Sequence, residues 1–222
     1  LIAFDAETLF RHADDVLENG IIIYDSTLEK MKVSDVITFE HDFKNRLQSL
    51  MKSKNKPDTV SGMLELASDN GVKIYPVSFR SLLTELSENL QNSRIKNMTR
   101  MYNVLGVSLS LGMLKVPPEK LIESINSIFS KKKSIAELNV SAANFAYNFA
   151  SAKFENNHFN FTLLEISEET MLVQGHYGTS IGKIVAGCRF QSYYPITPAT
   201  DESDFLERNE ILEINEDRPG ST

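Results

Sequence analysis

The sequence contains a single cysteine, Cys188, among its 222 residues. A chain with one thiol cannot form an internal disulfide framework. It also cannot supply alone the several thiolates of a structural zinc or iron–sulfur site. We therefore expect a reducing compartment, in which Cys188 is buried among apolar side chains.

The sequence also lacks long apolar runs and an excess of positive charge. No run approaches the roughly 18 apolar residues that span a bilayer, and no signal-peptide pattern leads the chain. Lys and Arg number 23 against 30 Asp and Glu, a net charge of −7, which disfavours a nucleic-acid partner. The lysine run at 131–133 is typical of the solvated end of a helix. We expect a cytoplasmic protein without nucleic-acid or membrane partners.

Apolar residues make up 41% of the chain, enough for a substantial core. The runs "LIAFD" (1–5) and "GIIIYDS" (20–26) predict buried strands with a helix between them. "VKIYPVSF" (72–79) predicts another strand after a helix that ends at Gly71, and "DVITFEHDF" (35–43) predicts a further one. Alternation of strands and helices predicts an α/β fold with a mostly parallel sheet.

The pattern divides the chain into two domains. Residues 1–153 form the α/β domain, which becomes helical from about residue 80, because apolar residues there recur at three- and four-residue spacing. Residues 154–169 are polar and turn-rich and predict a linker, in which His158 is a solvated loop histidine. Residues 170–222 predict the start of a second α/β domain: a helix over 177–188, a strand over 190–194, a turn and a helix.

The two ends of the chain suggest a fragment. The sequence opens on the apolar "LIAFD" without an initiator methionine, and it closes on the loop-like "INEDRPGST". A domain does not usually begin in mid-strand, so we expect a piece of a longer protein.

Small residues recur every four positions at Gly178, Gly182 and Ala186. This spacing predicts a helix face that lies close to a sheet or another helix. The alternative is a phosphate-binding loop with Gly175 and Gly178 in a turn before the helix, although no strict glycine fingerprint is present.

Two prolines bracket an Ile–Thr pair in Tyr194-Pro195-Ile196-Thr197-Pro198. A residue before proline is pushed towards an extended conformation, so the backbones of Tyr194 and Thr197 are restricted. Pro198 suits the first turn of a helix, which places Thr197 near the N-cap. The Thr197 hydroxyl could receive a carboxylate at this strand–helix junction, or it could only cap the helix.

Charged residues surround this motif. Asp201 and Glu202 fall in the predicted first turn, where they complement the helix dipole, and we assign them no chemistry. Lys183 and Arg189 could meet an anion or remain solvated.

The segment "AGCRFQSYYPITPATDESDFLE" resembles the start of the α subunit of 2-oxoacid:ferredoxin oxidoreductases, whose hallmark is Tyr-Pro-Ile-Thr-Pro. "GHYGTSIGKIVAG" is similar to the segment that precedes this hallmark. "NVLGVSLSLGM" and "ELNVSAANFAY" resemble the γ domain of the same family. The resemblance covers nearly the whole chain and identifies a γ-type domain fused ahead of an α-type, thiamine-pyrimidine-binding domain.

The resemblance implies an enzyme part. Such enzymes oxidatively decarboxylate a 2-oxoacid, such as pyruvate, on thiamine diphosphate, transfer electrons through [4Fe–4S] clusters to ferredoxin, and form an acyl-CoA. By resemblance, Thr197 contacts the substrate, and Tyr194, Pro195, Ile196 and Pro198 shape its pocket. The thiamine diphosphate, Mg²⁺ and cluster belong mainly to a partner β subunit, and coenzyme A is the co-substrate. We expect a heterodimer that is inactive without its β subunit.

The chain departs from the family pattern at Gly175-His176, where the family usually has Gly-Asn. The resemblance places the thiamine-activating glutamate and a substrate-binding arginine beyond residue 222. Two other interpretations stay open: a non-catalytic binding or assembly module that keeps the fold, and a dinucleotide-binding oxidoreductase, for which no G-x-G-x-x-G follows a strand.

Overall fold

A computed structural model describes residues 1–154 and 170–209 of the chain. The chain divides into two compact units, 1–162 and 163–222. The predicted linker, His158 included, lies outside the described residues except for Phe154. The domain boundaries placed at 153 and 170 therefore stay a prediction.

The first unit contains a three-stranded parallel sheet with the order β1-β2-β3. Its strands are β1 (Ile2–Ala3), β2 (Ile21–Asp25) and β3 (Lys73–Val77). Its helices are α1 (Ala6–His12), α2 (His41–Ser53), α3 (Val60–Asp69), α4 (Phe79–Asn89), α5 (Tyr102–Met113), α6 (Glu119–Ile128) and α7 (Lys133–Lys153). The predicted α/β class is confirmed.

Alternate side chains of β2 enter two separate cores because successive strand residues point to opposite faces of a sheet. Ile22 packs with the residues of α1, α2 and α3, and Ile23 packs with those of α4, α5 and α7. The sheet is thus covered on both faces, as parallel sheets require.

Helices α5 and α7 pack closely along small residues. Ala142, Ala146 and Ala150 of α7 are fully buried. A Cβ atom placed on Gly112 of α5 would lie 2.5 Å from the carbonyl oxygen of Tyr147 and 2.9 Å from Ala150 Cβ. The backbones of these two helices therefore approach each other directly. The lysine run at 131–133 is exposed at the start of α7.

The strand predicted over 35–43 is wrong. Residues 33–35 form a 3-10 turn, and α2 begins at His41. Val36 and Phe39 are buried, whereas the intervening Ile37 is 91% exposed. These β-formers therefore anchor a loop under α1 and α2 instead of pairing with a strand.

The second unit contains two described helices, α8 (Gly175–Val185) and α9 (Ala199–Arg208). The strand predicted over 190–194 is wrong, since residues 188–194 have no regular secondary structure. A strand needs a hydrogen-bonding neighbour, and none lies within the described part of this unit.

Candidate functional site

Helix α8 ends abruptly at a glycine and directs the chain into the segment predicted to bind substrate. Gly187 has a φ of +80°, which suits glycine. The N–H of Gly187 donates to Ile184 O at 3.0 Å, and the N–H of Cys188 donates to Lys183 O at 2.9 Å. This Schellman arrangement ends the helix three residues before the predicted boundary at 188.

The proline-bracketed loop, residues 192–198, connects this turn to α9. Within it the Ile196 N–H donates to Tyr194 O at 2.7 Å, and Ile196 O accepts from the Thr200 N–H at 3.1 Å. The Thr197–Pro198 peptide bond is cis. The loop thus joins the first turn of α9 through its own backbone.

Thr197 does not cap α9, so that interpretation of the residue is wrong. The helix begins at Ala199, and the N-cap position belongs to Pro198, which has no side-chain donor or acceptor. Thr197 lies one residue further out and is exposed. Its hydroxyl makes no hydrogen bond to any described residue. The hydroxyl is therefore open to a ligand.

The other predicted pocket residues share the surface of the same loop. Tyr194 is 78% exposed and Ile196 is 61% exposed, and Pro195 and Pro198 are exposed as well. The structure therefore brings all five predicted substrate-binding residues together on one exposed loop. Their role in binding stays a prediction.

Lys183 and Glu202 form an ion pair between α8 and α9. Lys183 Nζ lies 2.9 Å from Glu202 Oε1, and their side chains are 35% and 16% exposed. Glu202 Oε1 itself is buried. The pair neutralises one of the two carboxylates that would oppose an anion at the start of α9.

His176 lies beside a cavity of about 230 Å³ between α8 and α9. Its ring centroid is 4.2 Å from that of Tyr177. Asp201, Asp204 and Arg208 of α9 also line the cavity. Asp201 thus lines this cavity, whereas Glu202 pairs with Lys183, and His176 adds a polar group to the cavity wall.

Two expectations about small residues in the second unit are wrong. A Cβ atom on Gly175 or Gly182 would meet no described atom within 4 Å, and one on Gly178 would meet only Val173, at 3.9 Å. Close packing of this helix face is therefore absent from the described residues. Cys188 is exposed rather than buried, and its thiol lies 3.3 Å from Phe190 O.

Large apolar side chains are unusually exposed in the second unit. Leu172 is fully exposed, and Phe190 and Val185 are 83% and 80% exposed. Met171 and Tyr194 are similarly open.

In the first unit, the carboxyl ends of the strands are occupied by helix caps. Asp5 Oδ1 accepts from the Thr8 N–H at 2.7 Å, and Asp25 Oδ1 accepts from the Thr27 N–H at 3.0 Å. Ser78 Oγ accepts from the Ser81 N–H at 3.2 Å. Ligands of open α/β sheets bind at this edge, but these groups are already engaged in capping.

The described ranges 1–154 and 170–209 contain no group of three or more His, Cys, Asp or Glu side chains placed to hold a metal ion. In the same ranges no helix combines the length and the apolar character that crossing a membrane requires.

The family described as "Pyruvate ferredoxin/flavodoxin oxidoreductase" matches residues 1–149. The chain belongs to this family. The predicted relationship is thereby confirmed, and it extends beyond the matched residues in comparisons with individual proteins.

A relative in this family, "2-oxoacid:ferredoxin oxidoreductase 1, subunit alpha" of Sulfurisphaera tokodaii, is 32% identical over 95% of the chain and 32% of its own length. "2-oxoacid:ferredoxin oxidoreductase 2, subunit alpha" of Aeropyrum pernix is 30% identical over 97% of the chain and 34% of its own length. The chain spans about a third of the length of these relatives.

The fold matches a solved "2-oxoglutarate:ferredoxin oxidoreductase from Magnetococcus marinus with 2-oxoglutarate, coenzyme A and succinyl-CoA bound". The TM-score is 0.60 with 18% identity, over 93% of this chain and 29% of that one. At this identity the likeness shows the fold alone.

Sequence reasoning found the loop but missed what supports it. The contacts of Lys183 with Glu202 and of Gln191 with Ser203 join residues far apart in sequence.

Proposed function

We propose that this chain is part of a thiamine diphosphate-dependent 2-oxoacid:ferredoxin oxidoreductase of the cytoplasm. The enzyme removes the carboxylate of a 2-oxoacid as carbon dioxide and oxidises the remaining acyl carbon by two electrons. Two ferredoxins each take one electron. The coenzyme A thiol loses its proton and becomes the thioester.

The observation that carries the proposal is the free hydroxyl of Thr197 on the exposed loop that begins α9. The first turn of a helix leaves backbone N–H groups without intrahelical partners, and its dipole favours an anion. A threonine hydroxyl beside such amides can donate to the carboxylate or carbonyl of a small keto acid. Family membership supplies a reaction in which a keto acid must be oriented.

The loop would orient the substrate, and its neighbours would enclose it. A donor held in place before the substrate arrives loses little entropy on binding, so it contributes to rate by fixing geometry. The exposed Tyr194 ring and Ile196 side chain offer apolar surface for the substrate's alkyl part. We assign no acid–base step to any residue of this chain.

The cofactors are proposed to lie mainly on a partner β subunit. When bound, thiamine diphosphate supplies the electron sink for decarboxylation. No step is assigned to Mg²⁺ or [4Fe–4S] on this chain. The exposed apolar side chains of the second unit suit such a subunit interface.

The test is 2-oxoacid-dependent reduction of a viologen dye by the native complex that contains this chain. Thiamine diphosphate, Mg²⁺ and coenzyme A are each added and withheld, and several 2-oxoacids are compared. We expect dye reduction that requires coenzyme A. A complex with intact clusters that reduces no dye with any 2-oxoacid would overturn the proposal and favour the assembly-module alternative.

Thr197→Val tests the residue itself, because it removes the hydroxyl while keeping the side-chain shape. A hydrogen bond to a charged group contributes about 1.5–3 kcal/mol, so kcat/KM should fall about 10- to 150-fold. Thermal stability should hardly change, since Thr197 caps nothing. Thr179→Val is the matched control: its hydroxyl donates to Gly175 O of its own helix at 3.1 Å. Unchanged kinetics in Thr197→Val would remove Thr197 from the site.

A further inference from the structure

We propose that Gln191, Lys183 and Glu202 form a positioning network that fixes the proline-bracketed loop and thereby the placement of Thr197. The three residues lie outside the loop, and none is expected to touch the substrate. The inference rests on the proposed function for its effect on catalysis, but the network's effect on the loop can be measured without any activity.

Gln191 joins both helices immediately before the loop begins. Its Oε1 accepts from Lys183 Nζ of α8 at 2.8 Å, and its Nε2 donates to Ser203 Oγ of α9 at 2.6 Å. Ser203 is buried, with 4% of its surface exposed. One amide therefore links the two helices at the point where the loop departs.

The chemistry of the partners fixes the orientation of this amide. A lysine ammonium only donates hydrogen bonds, so the amide oxygen must face Lys183, and the amide nitrogen is left for the serine oxygen. A flipped amide would set donor against donor. A residue with the same shape but without both groups cannot replace Gln191.

The ion pair closes the network on its other side. Lys183 Nζ bridges Gln191 Oε1 at 2.8 Å and Glu202 Oε1 at 2.9 Å. Glu202 is also held through its backbone: its carbonyl oxygen lies 3.2 Å from the hydroxyl of the fully buried Ser180. Loss of Lys183 would leave the partly buried Glu202 carboxylate without this compensating charge, which is unfavourable.

The loop is consequently held at both ends and open in its middle. Gln191 secures its entrance, and the first turn of α9, which contains Glu202, secures its exit. Between these anchors the side chains of Tyr194, Ile196 and Thr197 are exposed. With so few contacts of their own, these residues depend on the anchors for their position.

The network is tested by Gln191→Leu in the native complex, with Gln48→Leu as the matched control. Gln48 is likewise a half-buried glutamine, but its Nε2 donates to the Asp58 carboxylate at 3.4 Å, and it lies in the first unit. We expect Gln191→Leu to lower kcat about 10- to 100-fold, because a misplacement of about 1 Å has effects of this size. Gln48→Leu should leave kcat unchanged.

Hydrogen–deuterium exchange of the peptide that spans 194–203, which contains the hydrogen-bonded N–H groups of Ile196, Thr200 and Glu202, gives a readout independent of activity. Gln191→Leu should accelerate exchange in this peptide about tenfold, since local opening then costs less free energy. If exchange in the loop is unchanged, the network does not hold the loop, and the proposal is overturned whether or not the complex oxidises 2-oxoacids. Faster exchange in a complex that lacks 2-oxoacid activity would overturn the proposed function only.

A double substitution separates positioning from general damage. If Gln191 acts through Thr197, then Gln191→Leu should change kcat by less than about twofold in a Thr197→Val background. If the two substitutions instead lower kcat independently, so that their fold-losses multiply, Gln191 does not act through Thr197.

Lys183→Arg should retain most of the activity that Lys183→Met loses, because it keeps the charge. If Gln191→Leu does not fold, Ser203→Ala removes the Nε2 partner more gently, and the same outcomes apply to it.

Discussion

The same glycine-to-alanine change should have opposite effects at Gly112 and Gly182. At Gly112 the added methyl group would lie 2.5 Å from the carbonyl oxygen of Tyr147. The obstacle is backbone, so it cannot rotate away, and α5 and α7 must separate. At Gly182 the methyl group would meet no described atom within 4 Å.

The magnitudes follow from two opposing effects. Alanine is favoured over glycine in a helix interior by about 1 kcal/mol, and this gain applies at both positions. Overpacking of a close contact costs about 1–3 kcal/mol, and the rigid obstacle at Gly112 places the cost near the upper end. We expect Gly112→Ala to lower the free energy of unfolding by about 1–2 kcal/mol, and Gly182→Ala to raise it by up to about 1 kcal/mol.

Hydrogen–deuterium exchange of the purified chain measures each unit separately. Protection of α5 and α7 reports on Gly112→Ala, and protection of α8 reports on Gly182→Ala. If Gly112→Ala is neutral or stabilising, α5 and α7 do not approach as described. If Gly182→Ala is destabilising, another group packs against Gly182, and the open surroundings described for this face of α8 are wrong.

Three further substitutions test the first unit. Arg11→Ala should lower the free energy of unfolding by about 1 kcal/mol in urea denaturation, because the guanidinium lies 4.8 Å from the Phe39 ring centroid and 4.7 Å from that of Phe43; an unchanged midpoint would contradict this. Thr38→Val should raise the pKa of Glu7 in an NMR titration. The Thr38 hydroxyl, followed by Arg11, holds that pKa below its ordinary value. The stability that this interaction gives the folded chain is fully present above the pKa of Glu7 in the unfolded chain. It is lost as pH falls through the lower pKa of Glu7 in the folded chain. Tyr24→Phe should make stability fall less steeply above pH about 10, because burial and then Glu29 raise the pKa of Tyr24, and that stabilisation is lost as pH rises. If stability falls equally steeply with pH in the wild type and in Tyr24→Phe, this expectation is wrong.

The elements predicted correctly are those whose signal is local. The apolar run at 20–26 became β2, and the three- and four-residue periodicity after residue 100 became α5, α6 and α7. In each case the pattern of burial and the intrinsic preference of the residues agree.

The elements predicted wrongly depended on partners that sequence does not reveal. Residues 190–194 have strand-forming side chains, but no described strand lies beside them. Thr197 lies one residue before the N-cap of α9, because Pro198 takes the N-cap position that was predicted for Thr197. The motif could be recognised from its residues, whereas the network around Gln191 depends on tertiary contacts alone.

The uneven distribution of exposed apolar side chains has a consequence for synthesis of the chain. The first unit, with both cores filled, leaves the ribosome before the second, which carries Leu172, Val185 and Phe190 on its surface. The exposed apolar surface of the second unit thus emerges after the first unit. If the proposed partner subunit covers this surface, the yield of soluble protein should rise when that subunit is made in the same cell.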